Sequence, residues 1–329
     1  MKLRNLYITC IVMTAFFTQS CSKMNDLHQK YLDEGEIIYA AKMDSVAPCV
    51  GKGRIQFEMF IRAQRIETVR IFWNDYADSV DVQVGNQTGV IKKLIENMAE
   101  KSYIFQFVSI DKFGHKSLPF EVIGKVYGNA YESILVNRGV SIHNSGAGLV
   151  LTFIAAAENN VATEVTYTNT SGLLKTISVP SNVITHIIPD NKGGQIVLKS
   201  SFVPANGIDT FYSIPSTQTF NPYAGTYQAI GVLHHPVKGD RSINEAKTLT
   251  RITDEIVKCN LGDLGSTGLT MTLKVNADYT VTIAPTGSTP DIDQHWGSNF
   301  YDPATKSFHL FYSYNITAPR KIEETITLQ

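Results

Sequence analysis

Between Met271 and Ile283 the side chains alternate so regularly that only an extended chain sorts them. Met271, Leu273 and Val275 fall on one face, and Thr272, Lys274 and Asn276 on the other. Asn276-Ala277-Asp278 then turns the chain, and Tyr279, Val281 and Ile283 continue the apolar face. A repeat of two is the period of a half-buried strand, so this stretch predicts a hairpin. Similar runs at 225–233, 247–252, 256–259, 308–314 and 322–328 extend it into an antiparallel meander over residues 223–329. Closing such a sheet into a small barrel removes the unpaired edges that invite aggregation.

The rest of the 329-residue chain carries weaker versions of the same signal. At this length two or three domains are expected. Over residues 36–127, three sets alternate: Ile55, Phe57, Met59 and Ile61; Val69, Ile71 and Trp73; Tyr103, Phe105 and Phe107. Their spacing favours a sandwich, with Trp73 in its core, and residues 90–98 suit a helix or a strand equally. Over residues 128–215 a second sandwich is expected. Its signals are Leu149, Leu151 and Phe153, then Thr163, Val165 and Tyr167, the Asn169-Thr170-Ser171-Gly172 turn, and strands at 174–179, 196–202 and 209–212. The stretch around residues 216–222, with Pro215 and Pro222 and little apolar periodicity, reads as a linker.

The N-terminus has a different character. Residues 1–20 carry Lys2 and Arg4 followed by an apolar run from Leu6 to Phe17, then Thr18-Gln19-Ser20-Cys21. That run is shorter than the ~20 residues a membrane-spanning helix needs, so it reads as a secretory signal rather than a retained anchor. Cys21 is then the expected lipidated residue, against ordinary cleavage or an uncleaved signal. Residues 21–35 are polar and charged and read as a tether. A formal net charge of -1, without any basic stripe, argues against nucleic acid as a partner.

Motifs for catalysis are missing. There is no His-Glu-x-x-His, Gly-x-Ser-x-Gly, phosphate loop or dinucleotide fingerprint, and an enzyme is not expected. Glu323 and Glu324 are adjacent on a strand and point to opposite faces, which spoils them as a carboxylate pair. Asp291-Ile292-Asp293 continues with His295 and Gly297 and matches a calcium loop poorly. His234 and His235 diverge in the same way as the two glutamates. No metal and no cofactor is expected. Cys49 and Cys259 are expected to be buried thiols without a disulfide between them.

Several segments resemble known families. Thr18-Gln19-Ser20-Cys21 resembles the loose lipobox of Bacteroidota, while Asp44-Ser45-Val46 and Asp78-Ser79-Val80 look like the O-glycosylation triplet of those bacteria. The stretch from Tyr103 to Ser117, with Asp111-Lys112-Phe113-Gly114 inside it, resembles the late hairpin of fibronectin type III domains, Tyr103 standing where their tyrosine corner stands. Gly35-Glu36-Ile37-Ile38-Tyr39 and Ile71-Phe72-Trp73-Asn74-Asp75 resemble an uncharacterised Bacteroidota lipoprotein family. Tyr223 to Ala229, Leu273 to Ile283 and Asn299 to Leu310 resemble the C-terminal β-domain of outer-membrane lipoproteins from polysaccharide-utilisation systems. Together these likenesses imply an all-β chain: two tandem immunoglobulin/fibronectin III-like sandwiches and then a small antiparallel, lipocalin-like barrel. They also imply an accessory, glycan-binding or adhesive lipoprotein of the outer membrane, at the cell surface or on the periplasmic face, with extracellular glycan and the proteins of a transporter complex as partners.

A polar, aromatic loop near the C-terminus offers the chemistry that a neutral polyol needs. Rings stack on sugar C–H faces, and amides and carboxylates bond the hydroxyls. Trp296, Phe300 and Tyr301, with Asp293, Gln294 and Asn299, supply both kinds of group. Two accounts of the aromatics stand, a plug in the end of the barrel or a platform for glycan. Two functions stand beside them: a lipid-anchored glycan binder, or a structural subunit of an outer-membrane complex without a sugar site.

Overall fold

The structure, a computed structural model, describes residues 38–329. The signal segment, Cys21 and the tether lie outside the described residues. Strands dominate what is described, and among those residues no helix is long and apolar enough to cross a membrane.

The first sandwich has seven strands: β1 (Ser45–Val50), β2 (Ile55–Ile61), β3 (Ile66–Trp73), β4 (Asp78–Gln83), β5 (Gly89–Ile95), β6 (Lys101–Asp111) and β7 (Phe120–Val126). One sheet runs β1-β2-β5 and the other β4-β3-β6-β7, the strand order of a fibronectin type III-like sandwich. Ile55, Phe57, Met59 and Ile61 are all buried, and Phe57 meets Phe105 and Phe107 edge-on at 4.6 and 5.0 Å. Trp73 is half-buried instead of central, its ring 6.2 Å from that of Phe105. The ambiguous stretch from Val90 resolves as β5, because the free side of β2 needs a partner and pairing outweighs local propensity. Gly114 takes φ +85° in the β6–β7 turn, where the Asp111 carboxylate accepts from the Phe113 and His115 amides.

After the short helix α1 (Asn129–Ile134) the second sandwich repeats that order. Its strands are β8 (Val140–Ser145), β9 (Gly148–Phe153), β10 (Asn160–Asn169), β11 (Leu174–Pro180), β12 (Thr185–Ile188), β13 (Asn191–Phe202), β14 (Phe211–Tyr212) and β15 (Ser216–Phe220). The sheets run β12-β9-β8 and β11-β10-β13-β14, with β15 also on β13. The expected linker is therefore wrong in its centre. Residues 216–220 pair with β13 from Ser216↔Leu198 to Phe220↔Gly194, and Phe220 joins the core. Pro215 and Pro222 bracket this strand rather than interrupt it, so neither removes a ladder bond.

Nine strands make the last sheet: β16 (Gly225–His235), β17 (Gly239–Arg251), β18 (Ile256–Asn260), β19 (Thr270–Val275), β20 (Val281–Thr286), β21 (Ile292–Asp293), β22 (Phe300–Asp302), β23 (Ser307–Tyr314) and β24 (Arg320–Leu328). The order is β20-β19-β18-β17-β16-β24-β23-β21, with β22 also on β23. A bridge between Thr280 and Phe300 nearly closes the sheet, helped by Val281 N–H to Asn299 O (2.9 Å) and Tyr301 N–H to Tyr279 O (2.8 Å). Tyr227, Leu249, Leu273, Phe308, Leu310, Tyr312 and Ile326 fill the interior. Tyr279 does not extend the apolar face as expected. It sits in the turn at φ +65° and is exposed, while Val281 and Ile283 are buried.

By packing, the described residues form two units. One holds Gln56–Ile95, Ser102–Lys125 and the residues before them up to Pro48; the other holds Cys49–Ile55, Glu96–Lys101 and Val126–Gln329. Within the second unit the Arg54 guanidinium bonds both Asp209 oxygens (2.5 and 2.9 Å) and holds that carboxyl below its usual range. Cys259 is buried, and burial pushes its thiol up to about 12; Cys49 is only half-buried, contrary to expectation.

Candidate functional site

The wall between β20 and β23 is where the aromatic loop lies, and its geometry follows from a gap in pairing. β21 bonds the upper end of β23 through Ile292↔Tyr314 and Asp293↔Ser313, and β22 bonds the lower part through Phe300↔His309 to Asp302↔Ser307. Between them residues 294–299 leave the sheet. Two side-chain amides stand in for the missing ladder: Asn299 Oδ1 accepts from Phe311 N–H (2.6 Å), and Gln294 Oε1 accepts from Ile283 N–H (2.9 Å). Asn299 Nδ2 also donates to Gln294 O (3.3 Å). Asn299 commits both ends of its amide to the wall, and Gln294 its oxygen.

The loop lies across the outer wall. Gly297 rests on the Phe311 ring so closely that a Cβ would fall 2.4 Å from its Cγ, so any larger residue must lift the loop. Trp296 is half-buried and meets Phe311 and His234 edge-on, with ring centroids 5.9 and 6.3 Å away. Lys321 Nζ stands 5.0 Å over the indole. The indole Nε1–H is buried without an acceptor among the described residues. Phe300, 40% exposed, stacks flat on His309 at 4.5 Å.

Tyr301, one residue on, does the opposite. It is buried in the barrel core against Tyr223 and Phe308, and burial pushes its hydroxyl far up from the ordinary value. The six predicted residues therefore divide. Trp296, Phe300 and Asp293 share the outer surface, Gln294 and Asn299 hold the wall together, and Tyr301 plugs the interior. Asp293 Oδ1 accepts from His295 Nδ1 (2.7 Å) and the His295 amide (3.0 Å), bonds that hold its carboxyl below the usual range.

Inside the barrel is a cluster that the sequence reading passed over. Lys247 Nζ lies 2.5 Å from Glu324 Oε2, with side chains 2% and 0% exposed. Tyr312 O–H donates to Glu324 Oε1 (2.9 Å) and accepts from Gly262 N–H (2.9 Å), and Glu245 Oε1 lies 3.8 Å from the ammonium. Glu323 and Glu324 do point to opposite faces, but the inward one is the charged residue of interest. A signal was present. Ile322, Glu324, Ile326 and Leu328 form one inward row and Ile243, Glu245, Lys247 and Leu249 another, with one charge in the first and two in the second where the period demands apolar residues. Among the described residues no group of three or more His, Cys, Asp or Glu side chains is placed to hold a metal ion.

Comparison with known proteins places the chain. A family model for a domain of unknown function, DUF4998, matches residues 21–211, more than half of its length. The chain belongs to the DUF4998 family. A second family model, described only as a "-like, C-terminal" domain, matches residues 213–329. The DUF4998 match thus spans both sandwiches up to β14, and the second covers the barrel. No curated protein matches the chain. Among solved structures, a two-domain fibronectin type III segment of chicken tenascin is similar at 11% identity and a TM-score of 0.23, over 54% of this chain and 95% of that one. Fibronectin(III)-like modules of Clostridium thermocellum CbhA are similar at 16% identity and a TM-score of 0.26, over 54% and 90%. Superpositions this loose carry no argument; the strand orders given above do.

Proposed function

We propose that this DUF4998 protein is a lipid-anchored, extracytoplasmic accessory protein that binds glycan at the surface of a Bacteroidota-type outer membrane without cleaving it. Cys21 would carry the lipid, residues 21–35 would supply reach, and the sandwiches would act as spacers. One observation carries the reading: the gap between β21 and β22 lays Trp296 and Phe300 on the outer wall of the barrel, with Asp293 beside them. Partly exposed aromatic rings on the same outer face as a carboxylate suit the mixed apolar and hydroxyl face of a sugar ring. Gln294 and Asn299 contribute by fixing the loop, through the Gln294 amide oxygen and both ends of the Asn299 amide.

Affinity electrophoresis across a panel of host and plant polysaccharides tests this. The expected result is retardation on at least one glycan, lost in Trp296→Ala and in Phe300→Ala with the fold intact by circular dichroism. Absence of retardation on every glycan would sink the reading in favour of a structural subunit of an outer-membrane complex. Sugar release from the same panel would show an enzyme instead.

A further inference from the structure

We propose that Lys247 and Glu324 condense to an intramolecular amide, a covalent tie inside the barrel between β17 and β24. The two strands flank β16, with Lys247 opposite Tyr227 and Glu324 opposite Gly231. Two glycines make room for Glu324: a Cβ on Gly231 would fall 2.9 Å from Glu324 Cβ, and one on Gly262 would fall 3.0 Å from Oε2. Nζ and Oε2 are 2.5 Å apart, and neither side chain has measurable access to solvent beyond 2%.

The groups around the pair match the needs of acyl transfer. A proton passes from the ammonium to the glutamate, and the Nζ lone pair then attacks Glu324 Cδ. The charge that develops on Oε1 is met by the Tyr312 O–H at 2.9 Å, itself held by the Gly262 amide. Glu245, 3.8 Å from Nζ, takes the next proton and returns it as the Cδ–Oε2 bond breaks, so Oε2 leaves as water with two of the three ammonium protons. Lysine ammonium plus glutamate carboxylate becomes a secondary amide plus water, with no oxidant, reductant or co-reactant. In bulk water the same condensation is unfavourable. Well-oriented intramolecular reactions reach effective concentrations of about 10⁵–10⁸ M, and here the product replaces two buried charges with one neutral amide.

Peptide mapping of the full chain, purified folded and then digested with trypsin under denaturing conditions, decides the matter. Residues 242–251 and 322–329 are expected as one joined species, lighter than the two separate peptides by the mass of one water, with cleavage after Lys247 blocked. Recovery of 242–247, 248–251 and 322–329 as separate peptides of ordinary mass from folded protein overturns the proposal and leaves the pair ionic. Glu245→Gln keeps both partners and is expected to slow joining about 100-fold or more in a refolding time course. Unchanged joining in that variant removes Glu245 from the mechanism as written, and Lys247→Arg shows the background.

Discussion

The inner and outer walls of the barrel use the same chemistry to opposite ends. Inward from β23 and β24, Tyr312 and Glu324 meet Lys247 in a sealed, mutually bonded cluster. Outward, one residue away on each strand, Phe311 and Glu323 lie opposite each other, with Trp296 against Phe311 and Lys321 over its ring. Aromatic and charged residues therefore say little about function until the two-residue period assigns them a face. On the inside they set the stability of the barrel, and on the outside they are available to a ligand.

Four sets of substitutions and titrations probe that division. The largest effect belongs to the sealed cluster. Relative to the unjoined, ionic form, Lys247→Ala leaves the Glu324 charge buried without its partner and is expected to cost about 3–5 kcal/mol in denaturant unfolding of the barrel, whereas Lys247→Met with Glu324→Leu is expected to be more stable than either single change. A neighbouring pair sharpens the contrast. Tyr301→Ala should cost about 3 kcal/mol or more by emptying the core. Phe300→Ala, on the other face, should change stability by no more than about 0.5 kcal/mol while abolishing glycan retardation. Gly297→Ala comes next, expected to cost about 1–3 kcal/mol because its Cβ collides with Phe311, with weakened retardation as the loop lifts.

The smallest effect is electrostatic. The His295 hydrogen bonds depress the Asp293 carboxyl, so the stability it contributes is present above the unfolded value near ~4 and is lost as pH falls through the lower folded value. A carboxyl NMR titration should show this, and His295→Ala should return Asp293 toward the ordinary range. A normal Asp293 in the unaltered protein would remove His295 as its partner.

Most strands were legible because one face of each is buried, and burial writes the period into the sequence. β2 and β19 are the cleanest cases. What escaped was set by geometry at longer range. β15 was hidden by Pro215 and Pro222, which look like breakers until their places outside the strand are known. Tyr279 continues the apolar alternation on paper, yet the tight turn after Asp278 puts it in the left-handed region. The position of Trp296 on the outer wall depends on the gap between β21 and β22, a property of three strands together and of no single stretch. Lys247 and Glu324 were readable as charges in inward rows, but 77 residues separate them and only the closed sheet brings them together.

The strand that replaced the expected linker has a practical consequence. Phe220 ends in the core of the second sandwich and Tyr223 packs against the core of the barrel, leaving only Asn221 and Pro222 between them. Asn221 is buried, and its amide donates to Thr253 O and receives Tyr223 N–H, while Asn144 bonds its carbonyl. A protease needs several slack residues to seat a substrate in its cleft, and this passage offers none. Limited digestion should therefore leave the second sandwich and the barrel on one resistant fragment, and a shortened version made for crystallisation would do better to keep them together than to cut at the prolines.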